Sequence, residues 1–454
     1  MINKFRKLFE GLHTFLILWA TQGLSALGSS MTSYALVIWS YEQHGSAFAS
    51  ALLTVCSYAP YVLLSIFAGA LSDRWNKKAT MLICDSFAAL CTLSVLMLLI
   101  TGRLELWHLY VLNALNGLGN TFQQPASDVA VSLLTPKAQY QRVAGMRTFS
   151  NSLVTVLSPV IATALLGFLG IYAVIVFDLL TFSTAFTALA FFIRIPDPRR
   201  QFRDRPTGIS TSEVPAEESV LQSALAGLKY LKRNRGILDL ILFLAAINLV
   251  ASVYNAALPA MLLSRGGGSQ TALALVNTCT GLANVIGSAV VTFLPAPKKR
   301  VKMICRSLLF SMSTENFLLA LGQSAPVWCL GAILGWLFIP VMNTNMDALF
   351  RSRIPVEMQG RVYSARNTLQ FFTIPLGYLL GGFLVDCVFE PFMQTQTADS
   401  IFTLVFGSGK GSGAALLFFV IAFAGIFVCL YFQRDRHIRE LENDRYYRQS
   451  IVGN

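Results

Sequence analysis

Long apolar stretches alternate with short polar and charged segments along most of this chain of 454 residues. Each apolar stretch has the length of about 20 residues that an α-helix needs to cross the hydrocarbon core of a membrane. Twelve stretches meet this condition, so the pattern predicts an all-α membrane protein with twelve transmembrane helices. The predicted spans are Phe15–Trp39, Phe48–Leu71, Ala79–Ile100, Leu106–Ala126, Val143–Leu169, Ile171–Ile193, Ile237–Leu263, Ala272–Leu294, Met303–Leu321, Val327–Phe350, Tyr363–Val388 and Ala414–Phe432.

The fifth and sixth predicted spans nearly touch at Gly170. Their combined length of about 50 residues is more than twice what one crossing requires. We therefore expect one helix to end at Gly170 and a second helix to begin directly after it.

The basic residues indicate how the spans are oriented. With both termini in the cytoplasm, only Arg103, Arg265 and Lys410 lie outside, and the other 32 of the 35 lysines and arginines lie in cytoplasmic segments or helix ends. Cytoplasmic loops of membrane proteins carry an excess of basic residues. The distribution predicts a multi-pass membrane protein with both termini in the cytoplasm.

The composition excludes most other classes of protein. Hydrophobic residues make up 54% of the chain and charged residues 13%, whereas soluble proteins carry about 25% charged residues. The net charge of +12 comes from clusters between apolar spans, so no nucleic-acid partner is expected. The eight cysteines lie mostly inside apolar spans and show no metal-ligand spacing. With no nucleophile triad and no phosphate-binding loop, we expect neither an enzyme nor a cofactor or metal.

The segment 194–235 separates the spans into two sets of six. Its last part has leucines at spacings of three or four and ends in a basic cluster, which predicts an amphipathic helix on the cytoplasmic membrane surface. The predicted divisions are an N-terminal bundle (1–193), a central loop (194–235), a C-terminal bundle (236–432) and a cytoplasmic tail (433–454).

An internal repeat supports this division. The residues Asp128, Pro136, Arg142, Val143 and Arg147 recur as Asp347, Pro355, Arg361, Val362 and Arg366, each 219 residues later. Both sets connect the fourth span of one half to its fifth. A parallel repeat of this kind predicts two pseudo-symmetric six-helix bundles.

The loop after the second span, Gly69 to Lys78, places one acidic and three basic side chains between two membrane-length helices. Its order Gly-x-Leu-x-Asp-Arg-x-x-Lys-Lys resembles the signature loop of the major facilitator superfamily of transporters. The resemblance implies that Asp73 faces the N-terminus of the eleventh helix and that Arg74 reaches Asp128. The predicted conformational gate comprises Gly69, Asp73, Arg74, Lys77, Lys78, Asp128, Arg142, Arg147, Asp347, Arg361 and Arg366.

The fourth span carries amides at spacings of mostly three or four, which gives one polar face. The resemblance implies that the first, fourth, seventh and tenth helices line a substrate cavity. The predicted cavity residues are Gln22, Asn113, Asn116, Asn120, Gln123, Gln124, Asn248, Tyr254, Asn255, Asn343 and Asn345.

A charged carboxylate inside an apolar span costs free energy, so each such residue is a candidate for a functional role. Asp178, Asp239 and Glu315 are candidates for proton coupling, and the alternative for each is a buried, hydrogen-bonded structural acid. Asp85 lies nearer the cytoplasmic surface, and we expect it to pair with the basic loop.

Longer passages, among them "NTFQQPASDVAVSLLTP" and "PLGYLLGGFLVD", resemble the bacterial macrolide-efflux and enterobactin-exporter branch of drug:proton antiporters. The resemblance implies a transporter of the bacterial cell (inner) membrane that exports macrolide-like or siderophore-type compounds in exchange for protons. We expect a monomer in contact with membrane lipids. Two alternatives remain open. One is a carrier of another direction or substrate, such as an importer or a lysophospholipid flippase. The other is a non-transporting scaffold or sensor.

Overall fold

The computed structural model has helices wherever the sequence predicts an apolar span. In the described part of the chain every regular element is helical, which confirms the all-α prediction. The described residues are 12–136, 139–195, 220–265, 268–293, 297 and 299–442.

Six long helices correspond to the first six predicted spans. α5 ends at Leu169 and α6 begins at Ile171, because Gly170 adopts a φ of 78° that is open mainly to glycine. The break predicted at this position is confirmed. The helices are α1 (His13–His44), α2 (Ala47–Arg74), α3 (Lys77–Ile100), α4 (Leu106–Leu134), α5 (Tyr140–Leu169) and α6 (Ile171–Thr187), which continues as a π-helical turn (Ala188–Phe192).

The second half is more interrupted than the first. The tenth predicted span is broken just before Pro340, and the eleventh is broken at Phe372. The helices are α7 (Val220–Arg233), α8 (Arg235–Ser264), α9 (Gln270–Phe293), α10 (Arg300–Leu321), α11 (Ala325–Trp336), α12 (Ile339–Arg353), α13 (Val356–Phe371), α14 (Thr373–Phe383), α15 (Ser412–Arg434) and α16 (Arg436–Glu440). A π-helical turn (Leu384–Phe389) and two short helices (Glu390–Gln394 and Ile401–Phe406) connect α14 to α15. α7 is the predicted amphipathic helix.

Length and hydropathy identify nine candidate membrane spans within the described ranges. The predicted spans in α1, α4 and α10 are not among them. Their helices are long enough, but they carry amide, hydroxyl and charged side chains that lower their mean hydropathy. Nine candidate spans and these three polar helices are consistent with the twelve predicted.

The chain divides into two compact units. The first contains Met1–Ala35 and Cys56–Gln222, and the second contains Leu36–Val55 and Ser223–Asn454. The segment Leu36–Val55 was predicted to belong to the N-terminal bundle. It lies with the second unit because the Tyr41 hydroxyl bonds to Ser264 (2.7 Å) and Ser46 bonds to Asp386 (2.7 Å).

In the second unit, α14 packs closely against α8 through two glycines. A Cβ atom at Gly377 would lie 2.5 Å from the Cβ of Ser252 and 2.6 Å from the carbonyl oxygen of Leu249. A Cβ atom at Gly381 would lie 2.8 Å from the carbonyl oxygen of Val253. Small residues at helix contacts let two backbones approach within the membrane. These glycines therefore set the distance between α8 and α14.

Gly377→Val is expected to destabilise the second unit by about 1–3 kcal/mol, because overpacking forces neighbouring side chains and backbone apart. The measurement is thermal unfolding of the purified protein. Gly167→Val is the matched control, since a Cβ atom there meets no described heavy atom within 4 Å. Equal melting temperatures for the two variants would contradict a tight contact between α8 and α14.

Candidate functional site

An aspartate–arginine pair occurs at the repeated position in each unit. Arg147 Nη2 lies 2.5 Å from Asp128 Oδ1, joining α4 to α5. Arg366 Nη1 lies 3.8 Å from Asp347 Oδ1, joining α12 to α13. Both pairs recur at the 219-residue offset. The first pair is about half exposed, and exposed pairs add little stability. Its direct contribution to the stability of the fold is therefore small.

The basic loop between α2 and α3 is anchored by Lys78. Its Nζ donates to the carbonyl oxygens of Ala190 and Ile193, both at 2.8 Å. These carbonyls close the C-terminal end of the sixth span, where a cation is favourable. Lys77 is buried, and its Nζ donates to the carbonyl oxygen of Trp75.

The rest of the predicted gate is not tested by these contacts. Asp128 has Arg147 as its described partner, whereas Arg74 was predicted to reach it. The side chains of Gly69, Asp73, Arg74, Arg142 and Arg361 lie outside the described residues.

Asp85 forms a polar cluster inside the first unit. Its two carboxylate oxygens accept hydrogen bonds from Gln22 of α1 (3.2 Å) and Gln123 of α4 (2.5 Å). The prediction that Asp85 pairs with the basic loop is wrong. Asp85 lies eight residues into α3, and at 1.5 Å per residue this is about 12 Å beyond the loop. Gln22 and Gln123 were predicted as cavity residues, and the cluster joins them to an acid.

Asp178 is the second buried acid of the first unit and is 4% exposed. Its oxygens accept hydrogen bonds from Ser29 of α1 (3.0 Å) and Thr92 of α3 (3.4 Å). Gly28 makes room for it, because a Cβ atom there would lie 2.9 Å from Asp178 Oδ1. The carboxylate is thus enclosed by hydroxyl groups.

Glu315 is buried near the middle of α10 and is 3% exposed. Its Oε1 accepts hydrogen bonds from the Tyr254 hydroxyl (2.6 Å) and the Trp336 indole (2.8 Å). Gly335 faces the carboxylate so closely that a Cβ atom would lie 2.4 Å from Oε2. Tyr254 was predicted to line the cavity, but its hydroxyl is directed to Glu315 of the same unit.

Asp239 has a different environment from the other acids. Its Oδ2 lies 3.0 Å from Nδ1 of His437, in the segment that follows the last span. Asp435 lies beside this pair. One carboxylate oxygen from each aspartate and one ring nitrogen of His437 lie within 4.8 Å of one another. Asp435 already accepts the backbone N–H of Ile438. The contact therefore ties the tail to the start of α8.

The other predicted cavity residues occupy several environments within their own units. Asn113 and Asn345 each donate to the carbonyl one turn earlier in their own helix, both at 2.8 Å. Asn248 donates to the carbonyl oxygen of Gln370 (3.3 Å). The side chains of Asn116 and Asn255 are half-buried, and those of Asn120, Gln124 and Asn343 are exposed.

Asp386 was not among the predicted site residues, and it caps the N-terminus of α2. Its carboxylate accepts the Ser46 hydroxyl (2.7 Å) and the backbone N–H groups of Ala47 (3.0 Å) and Phe48 (2.9 Å). A carboxylate at a helix N-terminus satisfies free N–H groups and the helix dipole. The two segments are about 340 residues apart in sequence, so no local pattern could show the contact.

Two groups of comparisons connect this arrangement to known proteins. Macrolide efflux protein A of Streptococcus pyogenes is 24% identical over 375 residues, covering 82% of this chain and 89% of that protein. The multidrug efflux pump Tap of Mycolicibacterium fortuitum is 23% identical over 380 residues, covering 82% and 88%. Among solved structures, a variant of the nucleoside transporter NupG covers 93% of this chain and 99% of its own, with a TM-score of 0.69 at 12% identity.

The family model of the Major Facilitator Superfamily matches residues 18–378. This match begins within α1 and ends within α14, so it includes nearly all of the first six helices and most of the second set. It agrees with the all-helical fold and with the charge pairs that recur in the two units. The chain belongs to the Major Facilitator Superfamily.

Proposed function

We propose that this transporter exports amphipathic small molecules, of the macrolide-like or siderophore type, in exchange for protons. As a member of its superfamily it is a multi-pass membrane transporter of small molecules and not an enzyme. The relatives named for macrolide and multidrug efflux support the direction and the class of substrate. We further propose a bacterial inner-membrane location, a monomeric state, and contact with membrane lipids.

Proton coupling rests on the environment of Glu315. The groups that bond to it, the Tyr254 hydroxyl and the Trp336 indole, are both neutral. Among the salt bridges of the described residues, none includes Glu315. A charge inside an apolar span is costly unless a cation or a proton neutralises it. Binding of a proton at Glu315 would neutralise the negative charge that this side chain places inside α10, and release of the proton would restore that charge.

Asp178 meets the same criterion in the first unit, since Ser29 and Thr92 are neutral as well. Asp239 meets it less well, because His437 beside it can carry a positive charge. We therefore rank Glu315 and Asp178 above Asp239 as coupling acids.

Glu315→Gln is expected to abolish uphill efflux of radiolabelled erythromycin while preserving its binding. The glutamine amide has nearly the shape of the glutamate carboxyl group but cannot bind and release a proton during the transport cycle. Efflux is measured from loaded cells with and without a protonophore, and binding is measured on the purified protein. Asp399→Asn, at an exposed acid, is the control expected to behave as wild type. Wild-type uphill efflux that persists with a protonophore present and sodium absent would refute proton exchange.

Charge reversal can identify which arginine, Arg147 or Arg74, forms the ion pair with Asp128 that transport requires. We expect the double variant Asp128→Arg with Arg147→Asp to transport better than either single variant, because it restores an exposed pair worth about 0.2–1 kcal/mol. The double variant Asp128→Arg with Arg74→Asp tests the latch that the family loop implies. Recovery only with Arg74 would show that the contact with Arg147 is secondary, and recovery with neither would exclude both pairs.

Topology is tested by cysteine labelling in a variant without the eight native cysteines. Cysteine in place of Asp399 is expected to react with an impermeant maleimide in intact cells, and cysteine in place of Lys299 is expected to react only after lysis. These results follow from the excess of basic residues on the proposed cytoplasmic side. The reverse pattern would place both termini outside.

A further inference from the structure

A line of polar contacts runs between α1 and α3 in the first unit. Gln22 and Ser29 lie seven residues apart on α1, and Asp85 and Thr92 lie seven residues apart on α3. Seven residues are two helical turns, so each pair lies on one face of its helix and spans about 10 Å. Gln22 bonds to Asp85 at one level, while Ser29 and Thr92 both bond to Asp178 at the other. We call these four residues the α1–α3 polar seam.

Asp85 is 7% exposed, and its described partners are the amides of Gln22 and Gln123. A glutamine side chain carries both a donor –NH2 group and an acceptor carbonyl oxygen. Rotation of the amide therefore suits either form of the acid: the –NH2 group donates to a carboxylate, and the carbonyl oxygen accepts from a protonated carboxyl. A lysine or arginine partner would instead hold the acid in its charged form.

Among the described residues, no charged group on the neighbouring elements forms an ion pair with Asp85. Lys78 lies two turns nearer the cytoplasm on the same face of α3, but carbonyl oxygens at the end of the sixth span hold its ammonium group. Lys77, at the start of α3, bonds to a backbone carbonyl. Cys84 adjoins Asp85 on α3, and Asp178 on α6 is two turns away along the seam. The described salt bridges do not include Asp85.

We infer that Asp85 is a proton-binding site of the first unit, in series with Asp178 along the α1–α3 polar seam. Asp85 serves the cytoplasmic half of the seam and Asp178 serves the opposite half. In each step an O–H bond forms on a carboxylate oxygen as a proton arrives from water or a protonated neighbour. The same bond breaks when the proton leaves, and no oxidation or reduction is involved. The inference rests on the proposed proton exchange and adds an acid to it.

Infrared spectroscopy tests the inference without a transport substrate. Purified full-length protein is titrated with acid, and the carbonyl stretch of protonated carboxyl groups is followed in difference spectra. Asp85→Asn is expected to remove one buried carboxyl band, and Gln22→Leu is expected to shift that band because it removes one hydrogen bond. Glu105→Gln, at an exposed loop acid, is expected to leave the band unchanged. A band that is identical in wild type and Asp85→Asn would overturn the inference.

Transport in proteoliposomes gives the second readout, with radiolabelled erythromycin as the probe. Under an imposed proton gradient, Asp85→Asn is expected to lose uphill transport while retaining exchange of labelled for unlabelled erythromycin, which needs no net proton movement. Asp85→Glu is expected to restore part of the uphill transport. If wild type shows no proton-driven transport, the proposed function fails. If wild type shows it and Asp85→Asn transports uphill equally well, the proposed function stands and Asp85 is not its proton site.

Discussion

The cost of placing a charge in an apolar environment constrains every polar feature of this protein. The cationic and anionic pairs lie near helix ends, as in Arg147 with Asp128 and Arg366 with Asp347. Deeper in the helices, acids are surrounded by neutral donors. The same constraint therefore produces two kinds of site, one in which an opposite charge lies beside the acid and one in which neutral hydrogen-bond donors surround it.

The two units differ in their buried acids although they share a repeated pattern of residues. The repeated Asp–Arg pair is present in both, at equivalent positions. Asp85 and Asp178 of the first unit and Glu315 of the second do not follow the repeat, because no acid lies 219 residues from any of them. The symmetric positions thus belong to the framework of the fold, and the asymmetric ones distinguish the units chemically.

Much of the fold could be predicted from the sequence because a membrane allows few arrangements of the backbone. Apolar length located the helices, and a glycine between two apolar runs located the break at Gly170. The helical breaks before Pro340 and at Phe372 were not predicted, since apolar composition is continuous through both. Which acid faces which donor could not be predicted either. The partners of Glu315 are 61 and 21 residues away, so their contact depends on packing.

The segment Leu36–Val55 has a mechanical consequence. It contains the end of α1 and the start of α2, and it belongs to the second compact unit while the rest of both helices belongs to the first. The chain therefore passes from one unit to the other within α1 and again within α2. The cap that Asp386 places on α2 holds the start of that helix in the second unit. Pro60, five residues beyond the boundary in α2, removes one backbone hydrogen bond and provides a point of lower bending stiffness.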